Sequence, residues 1–189
     1  MNNNQSSWTW RGCTLRPARH EDAEAYFHHN FAPLDAEVTR LTGSRTDFTH
    51  DEVVGFFHRC VDAEDRRDFL IIAPDGRIIG ESVINEIDPD ARCANYRVAI
   101  FHSDARGKGV GSWAIRRTVD YAFAQLKLHR LELDVFAFNP RSIRAYARAG
   151  FRQEGVRRQA IPHGDGWVDD ILMDMTEEDW RALPDRKNL

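Results

Sequence analysis

The 189-residue sequence has only three cysteines, no apolar run near the roughly 18 residues of a membrane span, and no excess of basic charge. Each shortage closes a class of function. Cys13, Cys60 and Cys93 are scattered and odd in number, which argues against a disulfide framework, and none pairs at the spacing of a zinc site. His28-His29 is the nearest thing to a metal pair, but adjacent helix residues point in different directions and no further ligand follows at a useful spacing. A formal net charge of -4 is the wrong sign for a surface that neutralises nucleic-acid phosphates. The polar start, Met1-Asn-Asn-Asn-Gln-Ser-Ser, lacks the apolar segment of a secretory signal, so a cytoplasmic protein without membrane or nucleic-acid partners is expected.

What is present is core-forming material. A hydrophobic fraction of 42%, with eleven Phe and five Trp, is enough to offset the ordering entropy of a chain this long. Neither repeats nor a long linker interrupt it, so one domain over residues 8–184 is expected, with residues 1–7 and 185–189 as flexible ends.

The elements alternate. Cys13-Thr-Leu-Arg-Pro reads as an opening edge strand, and the acidic-first segment from His20 as a helix start. Thr49-His-Asp-Glu52 is a capping box leading into a helix through Val53, Phe56, Phe57 and Val61. Phe69–Ala73, Arg77–Ile87 and Ala94–Phe101 read as a meander, its first turn supplied by Pro74-Asp-Gly76. From Gly109 the period changes to three and four through Ala114, Ile115, Thr118, Val119, Ala122 and Phe123, which is a helix packed on a sheet. Leu131–Phe136 is a strand. Asn139-Pro140 then gives a helix cap followed by proline at the first helical position, and Gly150 stops that helix. Strands near Gly155–Ile161 and Trp167–Met175 close an α/β (α+β) domain with a mixed sheet.

The segment Arg106-Gly-Lys-Gly-Val-Gly111 lies between a strand and that amphipathic helix. Its glycines allow positive φ and close approach to a ligand, and free amides at a helix start offer donors and a positive dipole end to an anion. A pyrophosphate fits such a loop. Neither the G-x-x-x-x-G-K-[ST] nor the G-x-G-x-x-G spacing is present, so kinase-type and Rossmann phosphate loops do not apply.

With Arg106, Gly109 and Gly111 in place, the loop resembles the pyrophosphate motif [QR]-x-x-G-x-[GA] of the GNAT superfamily. Asn139-Pro-Arg-Ser-Ile-Arg-Ala-Tyr-Ala-Arg-Ala-Gly-Phe151 resembles that family's second signature, N-x-x-[SA]-x-x-x-Y-x-x-x-G-F. Leu15-Arg-Pro and Gly166-Trp-Val-Asp-Asp-Ile-Leu-Met-Asp-Met are similar to the branch holding ribosomal-protein and polyamine acetyltransferases. The resemblance implies a central twisted sheet of about six to seven strands, helices on both faces and a splayed parallel strand pair. It also implies acetyl-CoA as co-substrate, direct acetyl transfer to a primary amine without a covalent enzyme intermediate, and frequent homodimers.

Site residues carried over from the resemblance are Tyr146 as the acid that protonates the departing thiolate, and Val98, Ala99 and Ile100 as the strand edge along which pantetheine pairs. Arg106, Gly107, Lys108, Gly109, Val110, Gly111 and Ser112 form the diphosphate loop, with Asn139 and Ser142 beside the cofactor. The base is assigned to Glu86, with Glu81 or a water chain as alternatives; strand alternation puts the two glutamates on opposite faces. Asp165, Asp169 and Asp170 add negative charge for a cationic acceptor: a polyamine, a small amine or antibiotic, or a protein N-terminus. Asn95 stands where many members of that branch carry glutamate, which weakens the polyamine reading. A non-catalytic acyl-CoA-binding module is the rival, since a binder needs the loop but no proton donor.

Overall fold

The computed structural model describes residues 7–184; of the two ends expected to be flexible, residues 1–6 and 185–189 lie outside the described residues. Among the described residues eight strands form one sheet: β1 (Trp8–Trp10), β2 (Cys13–Pro17), β3 (Arg67–Ile72), β4 (Ile78–Asp88), β5 (Cys93–Ile100), β6 (Arg130–Phe136), β7 (Arg152–His163) and β8 (Gly166–Thr176). Their order is β1-β2-β3-β4-β5-β6-β8-β7. Every neighbouring pair is antiparallel except β5 and β6. Six α-helices among the described residues accompany it: α1 (Ala23–Asn30), α2 (Ala36–Thr42), α3 (His50–Asp62), α4 (Val110–Ala124), α5 (Pro140–Ala149) and α6 (Glu177–Ala182). No helix among the described residues is long and apolar enough to cross a membrane.

The mixed sheet and its parallel pair are as expected, but it has eight strands where six to seven were expected. The extra strand is β1. It joins β2 through Arg11-Gly12, both at positive φ, as a two-residue hairpin of the type whose twist suits antiparallel strands requires. Three residues are too few to show a period. They are held by ring packing: Trp8 lies 5.6 Å from Phe69, and Trp10 stacks on Trp113 at 6.0 Å.

Helices cover both faces. On one, Val110, Trp113 and Ala114 of α4 pack on Leu15, Phe69, Ile71 and Ile79. On the other, Tyr26 of α1 and Val53 and Phe57 of α3 pack on Leu70 and Ile78. The α4 face continues into the largest core cluster, where Ile115, Val119 and Phe123 meet Leu131, Leu133, Tyr146 and Met173. Burial of each such side chain contributes about 1.5–3 kcal/mol. Ser82 Oγ lies 2.8 Å from both Tyr96 Oη and Thr118 Oγ1, so these three buried hydroxyls are satisfied.

The capping box of α3 forms as its sequence predicts: Thr49 accepts from the Glu52 amide while Glu52 accepts from the Thr49 amide at 2.8 Å. Gly80 shows where the sheet has no space to give. A Cβ there would lie 2.4 Å from the Ala99 carbonyl oxygen, which is fixed backbone in the β4/β5 ladder. Gly80→Ala should therefore destabilise the protein by about 1–3 kcal/mol, read by calorimetry as a fall in Tm of about 2–4 °C per kcal/mol. An unchanged Tm would show that the two strands can shift freely.

Candidate active site

The parallel pair is short. Cys93, Ala94 and Asn95 of β5 pair with Arg130, Leu131 and Glu132 of β6, and the pairing stops there. Beyond that point β5 stays on β4 as far as Ile100, while β6 stays on β8 as far as Phe136. Each strand keeps one partner and the two separate. Between them lies a cavity of about 710 Å³, within the usual range for a small-molecule site. Val98, Ala99 and Ile100 line it, with a strand edge that has no β6 partner.

The glycine loop closes one end. Gly107, Gly109, Gly111 and Ser112 line the cavity. Gly109 caps α4 with φ 91°, and no side chain caps the helix among the described residues, so its first amides are available to an anion. Gly107 has φ 75° and open space where a Cβ would be, whereas a Cβ on Gly111 would come to 3.4 Å from Ile100. The loop thus combines close packing of α4 on β5 with a bare backbone. Val110 turns into the core at 4% exposure, and Lys108 is exposed and off the cavity wall.

Arg106 lines the cavity, but its side chain is directed elsewhere than the phosphate role implied. Its Nε donates to the Ile100 carbonyl at 3.1 Å and its Nη2 to the Phe101 carbonyl at 2.9 Å. The same guanidinium forms ion pairs with Asp35 at 2.8 Å and with Glu37.

The α5 side is built from the second signature. Asn139 Oδ1 accepts from the Ser142 amide at 3.1 Å and so caps α5, and both residues line the cavity. Gly150 ends the helix at φ 109°. Tyr146, 5% exposed, faces the splay with its ring 6.1 Å from Tyr96 and 5.7 Å from Phe151. Burial pushes its hydroxyl well above the ordinary tyrosine range, opposed by a hydrogen bond from the Val98 backbone. A buried phenol and the unpaired Val98–Ile100 edge therefore share the wall of the opening.

Opposite lies a wall the sequence did not announce. Helix α2 contributes Val38, Leu41 and Thr42 to the cavity, and a Cβ on Gly43 would sit 3.0 Å from the Phe136 ring. Its signals were Asp35 as N-cap, accepting from the Glu37 and Val38 amides, and Gly43 in the left-handed C-terminal position.

The carboxylates are rearranged relative to expectation. Glu86 is exposed and lies outside the residues lining the cavity. The β4/β5 register breaks between Asn85 and Asp88, and Glu86 sits in that bulge at φ 55°, where strand alternation no longer fixes its side. Glu81 is 5% exposed and occupied: it accepts from the Tyr26 hydroxyl at 2.7 Å and pairs with Arg97. Among the described residues the carboxylate that lines the cavity is Asp134, its side chain 44% exposed and 3.8 Å from Arg157, on the β6 face opposite buried Leu133 and Val135. Alternation along Leu131–Phe136 was its signal. Of the acidic trio, Asp170 is 2% exposed and its carboxyl is pushed up by burial and by Asp134; Asp165 and Asp169 do not line the cavity.

Residues 13–152 match the family model described as an acetyltransferase (GNAT) domain. The chain belongs to the GNAT acetyltransferase family. It is 33% identical over 110 residues to "Probable N-acetyltransferase YjcK" of Bacillus subtilis, covering 58% of this chain and 61% of that protein. A spermidine N(1)-acetyltransferase of Vibrio cholerae is 30% identical over 105 residues, covering 56% of this chain and 60% of the relative. The crystal structure of a Vibrio cholerae spermidine N-acetyltransferase with CoA and spermine shares the fold at a TM-score of 0.79 and 24% identity, over 90% of this chain and 98% of that one. The ribosomal-protein-S5-alanine acetyltransferase from Vibrio fischeri shares it at a TM-score of 0.80 and 22% identity, over 92% and 98%. GNAT enzymes use acetyl-CoA, and the bare glycine loop, the uncapped start of α4 and the unpaired β5 edge form a cradle that fits this co-substrate.

Proposed function

We propose that the cavity binds acetyl-CoA between β5 and β6 and presents it to an amine entering from the α2 side. The observation that carries this reading is the buried Tyr146 on the wall of a splay that also holds the unpaired Val98–Ile100 edge and ends at the glycine loop. Acetyl-CoA supplies an acetyl group activated as a thioester. The amides of Gly109, Val110 and Gly111 hold the diphosphate, and the edge of Val98–Ile100 aligns the pantetheine arm. Tyr146 delivers a proton to the departing sulfur. Three arginines on α5, Arg141, Arg144 and Arg148, line the same cavity and add positive charge for the nucleotide end.

We infer an acceptor with a single ammonium, such as a small monoamine or a peptide amino end. Asp134 receives that ammonium and, through water, its proton. Glu81 is paired to Arg97, Asn95 is neutral, and among the described residues no second carboxylate lines the cavity for another cationic centre. The homodimer expected from the resemblance finds support in β7, an edge strand exposed along most of its length, and in Trp167 at 61% exposure.

Thiol release should be followed over a panel of monoamines, aminopeptides and spermidine. Monoamines or aminopeptides should turn over best, and Asp134→Asn should raise the acceptor KM by about five- to tenfold, the worth of one partly exposed charge-assisted bond. A clear preference for spermidine, or an unchanged KM in the variant, would overturn the single-ammonium reading.

A further inference from the structure

Arg106 belongs to the loop that resembles a phosphate cradle, yet its charge is spent on the opposite wall of the cavity. Two main-chain carbonyls, Ile100 and Phe101, and two carboxylates, Asp35 and Glu37, surround a guanidinium whose side chain is 7% exposed. That arrangement leaves no pair of parallel N–H groups for a bidentate phosphate. Burial works against the Asp35 carboxylate, but hydrogen bonds from the Val38 amide and Arg106 hold it below the ordinary carboxylate range. Glu37 also faces Arg141 of α5 at 3.5 Å.

Helix α2 needs such ties. It has seven residues, none of them buried, and a helix this short has little stability of its own. At its far end Arg40 lies over the Phe138 ring at 5.1 Å, and Gly43 packs on Phe136. Its near end is fixed by the ion pairs to Arg106 and Arg141. Between these anchors, Val38, Leu41 and Thr42 form one wall of the cavity.

We propose that Arg106 is a positioning residue: through Asp35 and Glu37 it fastens α2, the acceptor-side wall, to the diphosphate loop. The loop and the wall then move as one body, so ordering of the loop by acetyl-CoA also orders the surface on which the amine docks. This rests on the proposed acetyl transfer, and it assigns the α2 clamp to acceptor affinity rather than to cofactor affinity.

The test is the double variant Asp35→Asn with Glu37→Gln, which keeps a capping side chain on α2 and leaves Arg106 on its two carbonyls. Acceptor KM should rise about tenfold, within the usual span of coupling between sites, while acetyl-CoA affinity by calorimetry stays within about twofold. Amide hydrogen exchange of residues 36–42 should quicken in the variant and, in the parent, slow on adding acetyl-CoA. Tighter acetyl-CoA binding in the variant would mean that the carboxylates hold Arg106 away from a phosphate, which overturns the proposal; unchanged exchange and KM would overturn it as well. If the parent turns over no amine, the transferase reading fails, and the exchange measurement still decides the clamp.

Discussion

A Gly109→Val variant is expected to bind acetyl-CoA about a hundredfold to a thousandfold more weakly while keeping its fold. Gly109 stands at φ 91°, a conformation that costs an L-residue about 1–2 kcal/mol and a β-branched one more. A side chain there also meets Trp10, whose ring lies 3.2 Å from the Cβ position and is stacked on Trp113 of α4. The strain is relieved by rotating the loop backbone, which turns the first amides of α4 away from the cavity. Two lost charge-assisted hydrogen bonds, each about 1.5–3 kcal/mol, account for a loss of that size. The helix itself remains, because Trp113, Ala114 and Ile115 are 2%, 0% and 1% exposed and hold it to the sheet. Calorimetric titration reads the affinity and circular dichroism the fold. Undiminished affinity in a folded variant would mean that the diphosphate is held somewhere other than this helix entrance.

The features legible in the sequence are those written in local chemistry. The stripe from Ala114 to Phe123 becomes the buried face of α4, the Asn139-Pro140 pair caps α5, and the Thr49/Glu52 box opens α3. Alternation was enough for β6, where Leu131, Leu133 and Val135 are buried and Glu132 and Asp134 are exposed. These are readings of periods and caps, which depend on neighbours three or four positions away.

The features it did not disclose depend on distant contacts or on a broken period. Three-residue β1 is defined by rings it meets only after folding, Phe69 and Trp113. Glu86 was carried over from the resemblance as a strand residue, but the bulge between Asn85 and Asp88 takes it out of the strand's alternation. Asp134 was readable as an exposed residue of β6, yet its place in the cavity follows from the splay, which follows in turn from β6 pairing with β8 rather than β5 beyond Glu132. Helix α2 shows both an N-cap and a C-terminal glycine, but with no buried residue it gives no apolar period to detect. Arg106 belongs to the loop by its place in the chain; the direction of its side chain depends on Asp35 and Glu37, about 70 residues earlier.

Removing a single oxygen, in Tyr146→Phe, should separate chemistry from binding. The ring is packed by Tyr96 and Phe151, and phenylalanine preserves those contacts. The side chain lines the splay, and burial keeps its hydroxyl protonated, so it is equipped to donate rather than to accept a proton. Loss of a positioned proton donor costs about 10²–10⁴-fold in turnover, and acetyl-CoA affinity should change by less than about threefold, since the diphosphate amides are untouched. The sign of the pH dependence follows from the same burial. A donor whose value is raised stays protonated below it, so the parent's rate should show no alkaline loss due to Tyr146 until pH rises past the ordinary tyrosine value of 10.0. Single-turnover thiol release at saturating acetyl-CoA reads the rate directly. A variant as fast as its parent would remove Tyr146 from the chemistry, and a parent that binds acetyl-CoA without releasing thiol to any amine would make this chain the non-catalytic module.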